Sequence, residues 1–148
     1  MSDLDRMQQL SSQGYSCSQI LLQMGLEMQG KENPDLIRAM AGLAGGLGFT
    51  GETCGALTGA AALLGLYAGT AGPEDEEDPN LAFMIEGLVE WFKDGYGTQY
   101  GGIRCAEIVG KNGRLMPERC PGIVAGTYRQ VKELLVAQEF DLAGSHDV

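Results

Sequence analysis

The sequence predicts an all-α fold, a single-domain bundle of about six to seven helices around a central helix rich in glycine and alanine. Helix-capping patterns recur along the chain, whereas alternating strand patterns rich in Val, Ile and Thr are missing. A length of 148 residues fits one domain, residues 1–148. Within it we expect residues 1–12 to form an N-terminal arm and residues 139–148 a flexible tail.

The first three predicted helices follow from caps and apolar spacing. A short helix covers residues 3–9, where apolar side chains recur on one side. The capping-box pattern Ser16-Cys17-Ser18-Gln19 opens a second helix, which stops near Gly30. Asn33 followed by Pro34 opens a third helix, and its apolar positions continue to Leu47.

The later helices are predicted in the same way. Residues 53–69 are apolar all round, which is typical of a helix surrounded by others, so this helix is placed at the centre. A fifth helix covers residues 78–95 and is followed by a flexible aromatic loop over residues 96–102. A short sixth helix covers residues 103–109, and the last runs from the Cys120-Pro121 pair to about residue 138.

Charge and composition exclude several classes of protein. The net charge of -10 and the pI of 4.4 argue against nucleic-acid binding, which needs Lys and Arg to displace counterions. The amino terminus has neither the basic nor the apolar part of a secretion signal, so we expect a cytoplasmic protein. Residues 53–72 lack charge, but their small residues favour a buried core helix over a membrane span.

The four cysteines are the candidate site. Cys17, Cys54, Cys105 and Cys120 each fall at a predicted helix start, where outward N–H groups and the helix dipole favour a thiolate. In a cytoplasmic chain this number of cysteines indicates metal binding or redox chemistry rather than structural disulfides. The alternative without a function is that the four cysteines serve only as small hydrophobic residues buried in the core. No C-x-x-C knuckle occurs, so the spacing leaves a cluster, a dithiol pair and a zinc site open.

Two neighbouring features support the site. Arg104 and Arg119 directly precede two of the cysteines and are expected to stabilise thiolates or an anionic cluster. Gly55 and Gly59, four residues apart, leave a smooth strip beside the Cys54 thiol and allow close helix packing.

Other chemistry is not supported by the sequence. Residues 46–51 match the G-x-G-x-x-G pattern, but a helix precedes them where a dinucleotide site requires a β-strand. His146, the single histidine, falls in the predicted tail, which argues against a Cys-His pair or a histidine-rich metal site.

The motif Cys54-Gly55-Ala56-Leu57-Thr58-Gly59, with Cys17 before it and Cys105 and Cys120 after it, resembles the C_GCAxxG_C_C family of redox-active proteins. The resemblance covers most of the chain. It implies a small helical domain from a bacterium or archaeon, often encoded near transporter genes, whose cysteines are redox-active. The family is similar to the cluster-bearing part of split-Soret cytochromes, which implies an iron–sulfur centre held by cysteines.

These observations give a leading functional hypothesis and two alternatives. The protein is expected to act in electron transfer or redox sensing, with an iron–sulfur cluster bound by the four cysteines. Gly55 and Gly59 are expected to line the cofactor-binding site and to allow close helix packing. The alternatives are metal-free dithiol–disulfide chemistry catalysed by the same cysteines, and a structural zinc site in an interaction or transporter-accessory protein. The expected partners are a redox protein of unknown identity, a transporter system and a second copy of the chain.

Overall fold

The computed structural model describes residues 1–144 and confirms the all-α class. Its seven helices within those residues are α1 (Asp3–Ser12), α2 (Cys17–Met28), α3 (Pro34–Met40), α4 (Gly55–Ala68), α5 (Asn80–Phe92), α6 (Cys105–Val109) and α7 (Met116–Ala137). Short 3-10 turns, Ala41–Leu43 and Lys111–Gly113, follow α3 and α6. In residues 1–144 no helix has both the length and the apolar content that a membrane crossing needs.

Helix α4 lies at the centre of the bundle, as its composition predicts. It packs against α2, α5 and α7, and most of its side chains are buried in one hydrophobic core. Ala60, Leu63 and Leu64 in its middle are completely enclosed. Because small residues alternate with leucines along α4, three neighbouring helices can approach it from different sides.

Glycines set the close contact between α2 and α4. A β-carbon at Gly59 would lie 2.9 Å from the Ser18 Cα atom, and one at Gly25 would lie 2.8 Å from Leu63 Cγ. Each helix therefore contributes a glycine at the point where the other comes nearest. The close packing predicted for Gly59 is confirmed, and it fixes the height of the first turn of α2 against α4.

The prediction that the third helix continues to Leu47 is wrong, because α3 ends at Met40. After the 3-10 turn, five consecutive residues from Gly45 to Phe49 have φ angles between 62° and 72°. This stretch is one left-handed turn, in which the Ala44 carbonyl accepts a hydrogen bond from the Phe49 N–H at 2.9 Å. Glycine has no steric penalty there, so the three glycines allow a turn that Leu47 and Phe49 alone would disfavour.

The prediction of a flexible loop over residues 96–102 is also wrong, because residues 96–100 are helical. Helix α5 continues through a π-helical turn, Lys93–Gly97, into a further helical turn, Thr98–Tyr100. Tyr96 packs edge-on against Trp91 at a centroid distance of 5.6 Å and stacks on Tyr100 at 6.4 Å. This aromatic packing stabilises the extension until Gly101, at φ 86°, ends it.

The last helix begins earlier than predicted. Helix α7 starts at Met116, and the Leu115 carbonyl accepts hydrogen bonds from the backbone N–H groups of Glu118 and Arg119. Cys120 therefore lies in the second turn of α7, which corrects its predicted place at a helix start. Pro117 is the N-terminal proline of this helix, and Pro121 removes one further N–H from the helix after it has begun.

Both ends of the described chain pack on the bundle. The predicted arm is α1, whose Met7 and Leu10 are buried, and Arg6 pairs with Glu27 at 2.7 Å. Part of the predicted tail is ordered, since the Tyr67 hydroxyl donates to the Leu142 carbonyl at 2.6 Å. His146 lies outside the described residues.

Candidate functional site

A short β-bridge aligns two of the four cysteines. Thr53 and Arg104 form this isolated antiparallel pair. The Cys54 N–H donates to the Ile103 carbonyl at 2.9 Å, and the Cys105 N–H donates to the Glu52 carbonyl at 2.6 Å. The N-termini of α4 and α6 are therefore held side by side, with a buried cysteine at each.

The third cysteine lies against the start of α4. A β-carbon at Gly55 would be 2.7 Å from Cys17 Sγ and 3.1 Å from the Leu43 carbonyl oxygen. Ser18, which is completely buried, donates from its hydroxyl to the Met40 carbonyl at 2.9 Å. This bond ties the first turn of α2 to the end of α3, so the Cys17 sulfur occupies space that only a glycine at position 55 leaves free.

Cys120 approaches from α7 and completes the group. Its helix packs against α6, and Arg119 reinforces the contact by donating to the Ile108 carbonyl at 2.7 Å. Cys120 and Cys17 are half-buried, whereas Cys54 and Cys105 are buried. The four predicted cysteines, from α2, α7 and the paired starts of α4 and α6, thus lie near enough to influence one another's charge.

Burial and mutual repulsion raise the pKa of the thiols. Burial raises the pKa of Cys54 to about 12, and the neighbouring Cys17 and Cys105 add to the rise. Burial also raises the pKa of Cys120 to about 12, with repulsion from all three other cysteines. The pKa of Cys105 is raised by burial. A thiolate at any of these positions is disfavoured as the protein stands.

Backbone N–H groups oppose this effect at the two cysteines nearest the glycine-rich segment. Burial raises the pKa of Cys17, while the N–H groups of Ser18 and Gly45 lower it. At Cys54 the N–H groups of Ala56 and Leu57 have the same lowering effect. The predicted influence of helix starts on the sulfurs is therefore present, but the expectation of a net thiolate is wrong because desolvation is larger.

The expectation that Arg104 and Arg119 stabilise thiolates is also wrong. The Arg104 guanidinium turns to Glu52, at 3.5 Å, and is half-exposed. Arg119 lies over the Tyr100 ring, 4.5 Å from its centroid. Adjacent residues on a helix point in different directions, and both arginines hold elements together rather than face a sulfur.

The sulfurs are neither bridged nor arranged around one point. All four cysteines are free thiols. Within residues 1–144, no three His, Cys, Asp or Glu side chains are placed to hold a single metal ion. The site is thus a loose cluster of four thiols that influence one another electrostatically.

Two features of the site were not predicted from the sequence. One is the left-handed turn, which brings the Gly45 N–H towards Cys17; the density of glycines over residues 42–51 was its only signal. The other is the bridge between Thr53 and Arg104, which has no signal in either segment because a single pair lacks the alternation of a strand.

Comparison with family models agrees with the geometry. Residues 15–134 match the family described as "Putative redox-active protein (C_GCAxxG_C_C)". The chain belongs to this family. No curated protein and no solved structure matches the chain. The C_GCAxxG_C_C match begins just before Cys17 and ends beyond Cys120, so it spans the whole thiol cluster.

Proposed function

We propose that this protein transfers or senses electrons through an iron–sulfur cluster bound by Cys17, Cys54, Cys105 and Cys120. The observation that carries the proposal is the convergence of four free thiols from separate elements on one partly buried place. Four thiolates are the usual ligand set of such clusters, and a cluster supplies one-electron chemistry when bound.

The surroundings of the sulfurs fit this group in three respects. The donors are four soft sulfur atoms, the type that iron–sulfur clusters and zinc select. Backbone N–H groups approach Cys17 and Cys54, and such donors to sulfur tune the potential of a cluster. Gly55 keeps clear the volume beside Cys17 Sγ that a β-carbon would occupy. Within residues 1–144 no three donors are already grouped around one point, so a cluster would bind with a change in the positions of the sulfurs.

The raised pKa values favour a metal-bound role over a nucleophilic one. A buried thiol that keeps its proton at neutral pH attacks slowly. A bound metal displaces the proton from each thiol, so the raised pKa values make metal binding pH-dependent but do not prevent it. Thiols with raised pKa values are therefore compatible with the cluster hypothesis, whereas in the dithiol hypothesis they would react slowly.

Metal and acid-labile sulfide analysis of anaerobically purified protein tests the proposal. We expect iron and sulfide in equal amounts, with visible absorbance that bleaches on reduction. Protein that stays colourless and iron-free after anaerobic reconstitution would refute the cluster. Zinc without sulfide would identify the site as the structural zinc centre instead.

Single variants of the ligands make the test specific to the site. Each of Cys17→Ala and Cys120→Ala removes one half-buried donor, and we expect iron content to fall sharply in both. Met84→Leu serves as the control, since it changes a fully buried side chain of α5 at nearly constant volume. Iron loss in the control as well would mean that general loosening of the core, not ligand removal, releases the metal.

Thiol–disulfide exchange is the second candidate, and the exposure of two cysteines favours it. Cys17 and Cys120 are half-buried free thiols, so an external disulfide can reach them. In metal-free protein this function predicts that oxidised glutathione traps one of them as a mixed disulfide far faster than the other. Uniformly slow reaction of both would exclude it.

A further inference from the structure

Two exposed apolar side chains lie beside the thiol cluster. Leu47 and Phe49 are 49% and 72% exposed, and both belong to the left-handed turn. A positive φ angle costs a residue with a side chain about 1–2 kcal/mol. The turn is nevertheless well fixed, because the Thr50 hydroxyl donates to the Gly46 and Leu47 carbonyls at 2.9 and 3.0 Å. The fold thus holds two strained apolar residues outward, where they contribute little to the core.

This turn lies directly over the nearest cysteine. The Phe49 ring covers Gly45 so closely that a β-carbon there would overlap it. The Gly45 N–H in turn approaches the Cys17 sulfur. Gly45 therefore lies between the Phe49 ring and the Cys17 sulfur, and it contacts the ring while influencing the sulfur.

The same end of the bundle carries uncompensated positive charge. The turn connects to α6, since the Ala106 N–H donates to the Gly51 carbonyl at 3.2 Å. Helix α6 is only five residues long and leads into the Lys111–Gly113 turn. Lys111 and Arg114 are exposed there, and within residues 1–144 neither forms an ion pair.

The acidic residues of this end are already engaged. Glu52 pairs with Arg104, and Glu107 accepts a hydrogen bond from the Arg104 N–H at 3.1 Å. Glu118 lies in the first turn of α7, where the helix dipole stabilises a carboxylate. Residues 104–119 hold four basic and two acidic residues, whereas the rest of the chain holds six basic and eighteen acidic ones.

We propose that Leu47, Phe49, Lys111 and Arg114 form a docking surface for a small acidic electron-transfer protein. The partner's apolar patch meets the two turn residues, and carboxylates around that patch meet the two cations. The rest of the chain is strongly acidic and repels an acidic partner. The partner therefore approaches at this surface, with its own cofactor towards Cys17.

This inference rests on the proposed redox function. With a cluster bound, the four cysteines would hold a centre that accepts one electron from the reduced partner, which would be oxidised by one electron, and no bond would form or break. The contact is transient, because an electron-transfer partner must leave after each event, and small interfaces are typical of such pairs.

Binding of defined probes to matched variants tests the surface. The probes are a plant-type [2Fe–2S] ferredoxin and a flavodoxin, both small and acidic, with the basic cytochrome c as the probe of opposite charge. Phe49→Ser is compared with Phe83→Ser, whose side chain is 64% exposed on α5, and Arg114→Glu with Arg38→Glu, whose side chain is 75% exposed on α3. Each pair changes the same residue type inside and outside the surface.

We expect each surface variant to weaken binding of the acidic probes by about tenfold at low ionic strength, and the controls to leave it unchanged. Added salt should abolish the difference for Arg114→Glu more than for Phe49→Ser. Equal effects of the matched variants, no binding of either acidic probe, or preference for cytochrome c would overturn the proposal. Sedimentation showing that Phe49 and Arg114 instead hold two copies of this chain together would also overturn it.

Iron and sulfide content, measured on every variant, separates this proposal from the function on which it rests. Retained cluster with unchanged probe binding refutes the docking surface alone. Absence of a cluster with binding that still depends on Phe49 refutes the iron–sulfur assignment and supports the surface.

Discussion

The contact between α2 and α4 gives the most quantitative prediction, through Gly59→Ala. The added methyl group would lie 2.9 Å from the Ser18 Cα atom and 3.0 Å from its carbonyl oxygen. Both are backbone atoms, which cannot rotate away as a side chain can, so the helices must separate. Overpacking of this kind costs about 1–3 kcal/mol, while replacing glycine by alanine inside a helix returns about 0.5–1 kcal/mol. We expect a net loss of about 1 kcal/mol in the free energy of unfolding, within the range of about 0–2.5 kcal/mol that these two effects allow.

Urea unfolding followed by helical circular dichroism, with reductant present, measures this loss. Gly65→Ala on the same helix is the matched control, because a β-carbon there meets nothing within 4 Å. The control should gain about 0.5–1 kcal/mol from helix propensity alone. If Gly59→Ala proved as stable as Gly65→Ala, the close crossing at Ser18 would not exist in solution, and the position assigned to Cys17 would lose its basis.

Three further predictions concern the site. Gly55→Ala places a β-carbon 2.7 Å from Cys17 Sγ and 3.1 Å from the Leu43 carbonyl oxygen. The sulfur can rotate away but the backbone oxygen cannot, so the free energy of unfolding should fall by about 1 kcal/mol and iron retention should fall with it. Unchanged iron content would contradict this. In metal-free reduced protein the pKa values of Cys54 and Cys120 are raised to about 12. The unfolded chain ionises first, so stability present below about pH 9 is lost as pH rises towards 12, by up to about 1.4 kcal/mol per pH unit for each thiol. Urea midpoints between pH 8 and 10 measure this, and Cys54→Ala should flatten the decline. Leu47 has a positive φ of 67° and a half-exposed side chain, so Leu47→Gly should raise the free energy of unfolding by about 1 kcal/mol. Urea unfolding measures this change. An unchanged value would mean that the turn is not strained.

Local signals account for the parts of the fold that the sequence predicted correctly. The Ser16 N–H donates to Gln19 Oε1, its predicted capping-box partner, at 3.0 Å. The Leu36 N–H donates to Asn33 Oδ1 at 3.1 Å. Such caps act within four residues, so they are legible without any tertiary information. The central position of α4 follows from composition, because a helix with no polar face requires neighbours on all sides.

Predictions failed where two local signals compete and the more familiar one is misleading. Tyr96 is flanked by glycines and was predicted in a loop, yet packing against Trp91 keeps it helical. Pro121 after Cys120 imitates the start of a helix, and the true start depends on Pro117 and the Leu115 carbonyl. In both places the decisive partner lies nearby in the sequence, but glycines around Tyr96 and the Cys120-Pro121 pair are the stronger pattern signals and indicate the wrong structure.

The candidate site shows the same division. Cys17, Cys54 and Cys105 lie at helix starts as predicted, but no sequence pattern states that the starts converge. Their convergence depends on the Thr53–Arg104 bridge and on the left-handed turn after α3. Desolvation, which raises the pKa values, follows from that convergence and is equally invisible in the sequence.

The left-handed turn determines both the surroundings of Cys17 and the exposure of Phe49. It reverses the chain between α3 and α4 within a few residues, so that the Gly45 N–H reaches Cys17 while the Glu52 N–H returns to the Gly46 carbonyl at 3.0 Å. A β-carbon at Gly46 would collide with the backbone of Glu52, so this closure requires glycine. One segment therefore lowers the pKa of Cys17 on one side and leaves Phe49 exposed on the other. Strain of this kind persists only where the surrounding structure enforces it, and here the Thr50 hydroxyl and the Glu52 N–H do so by donating to carbonyls of the turn.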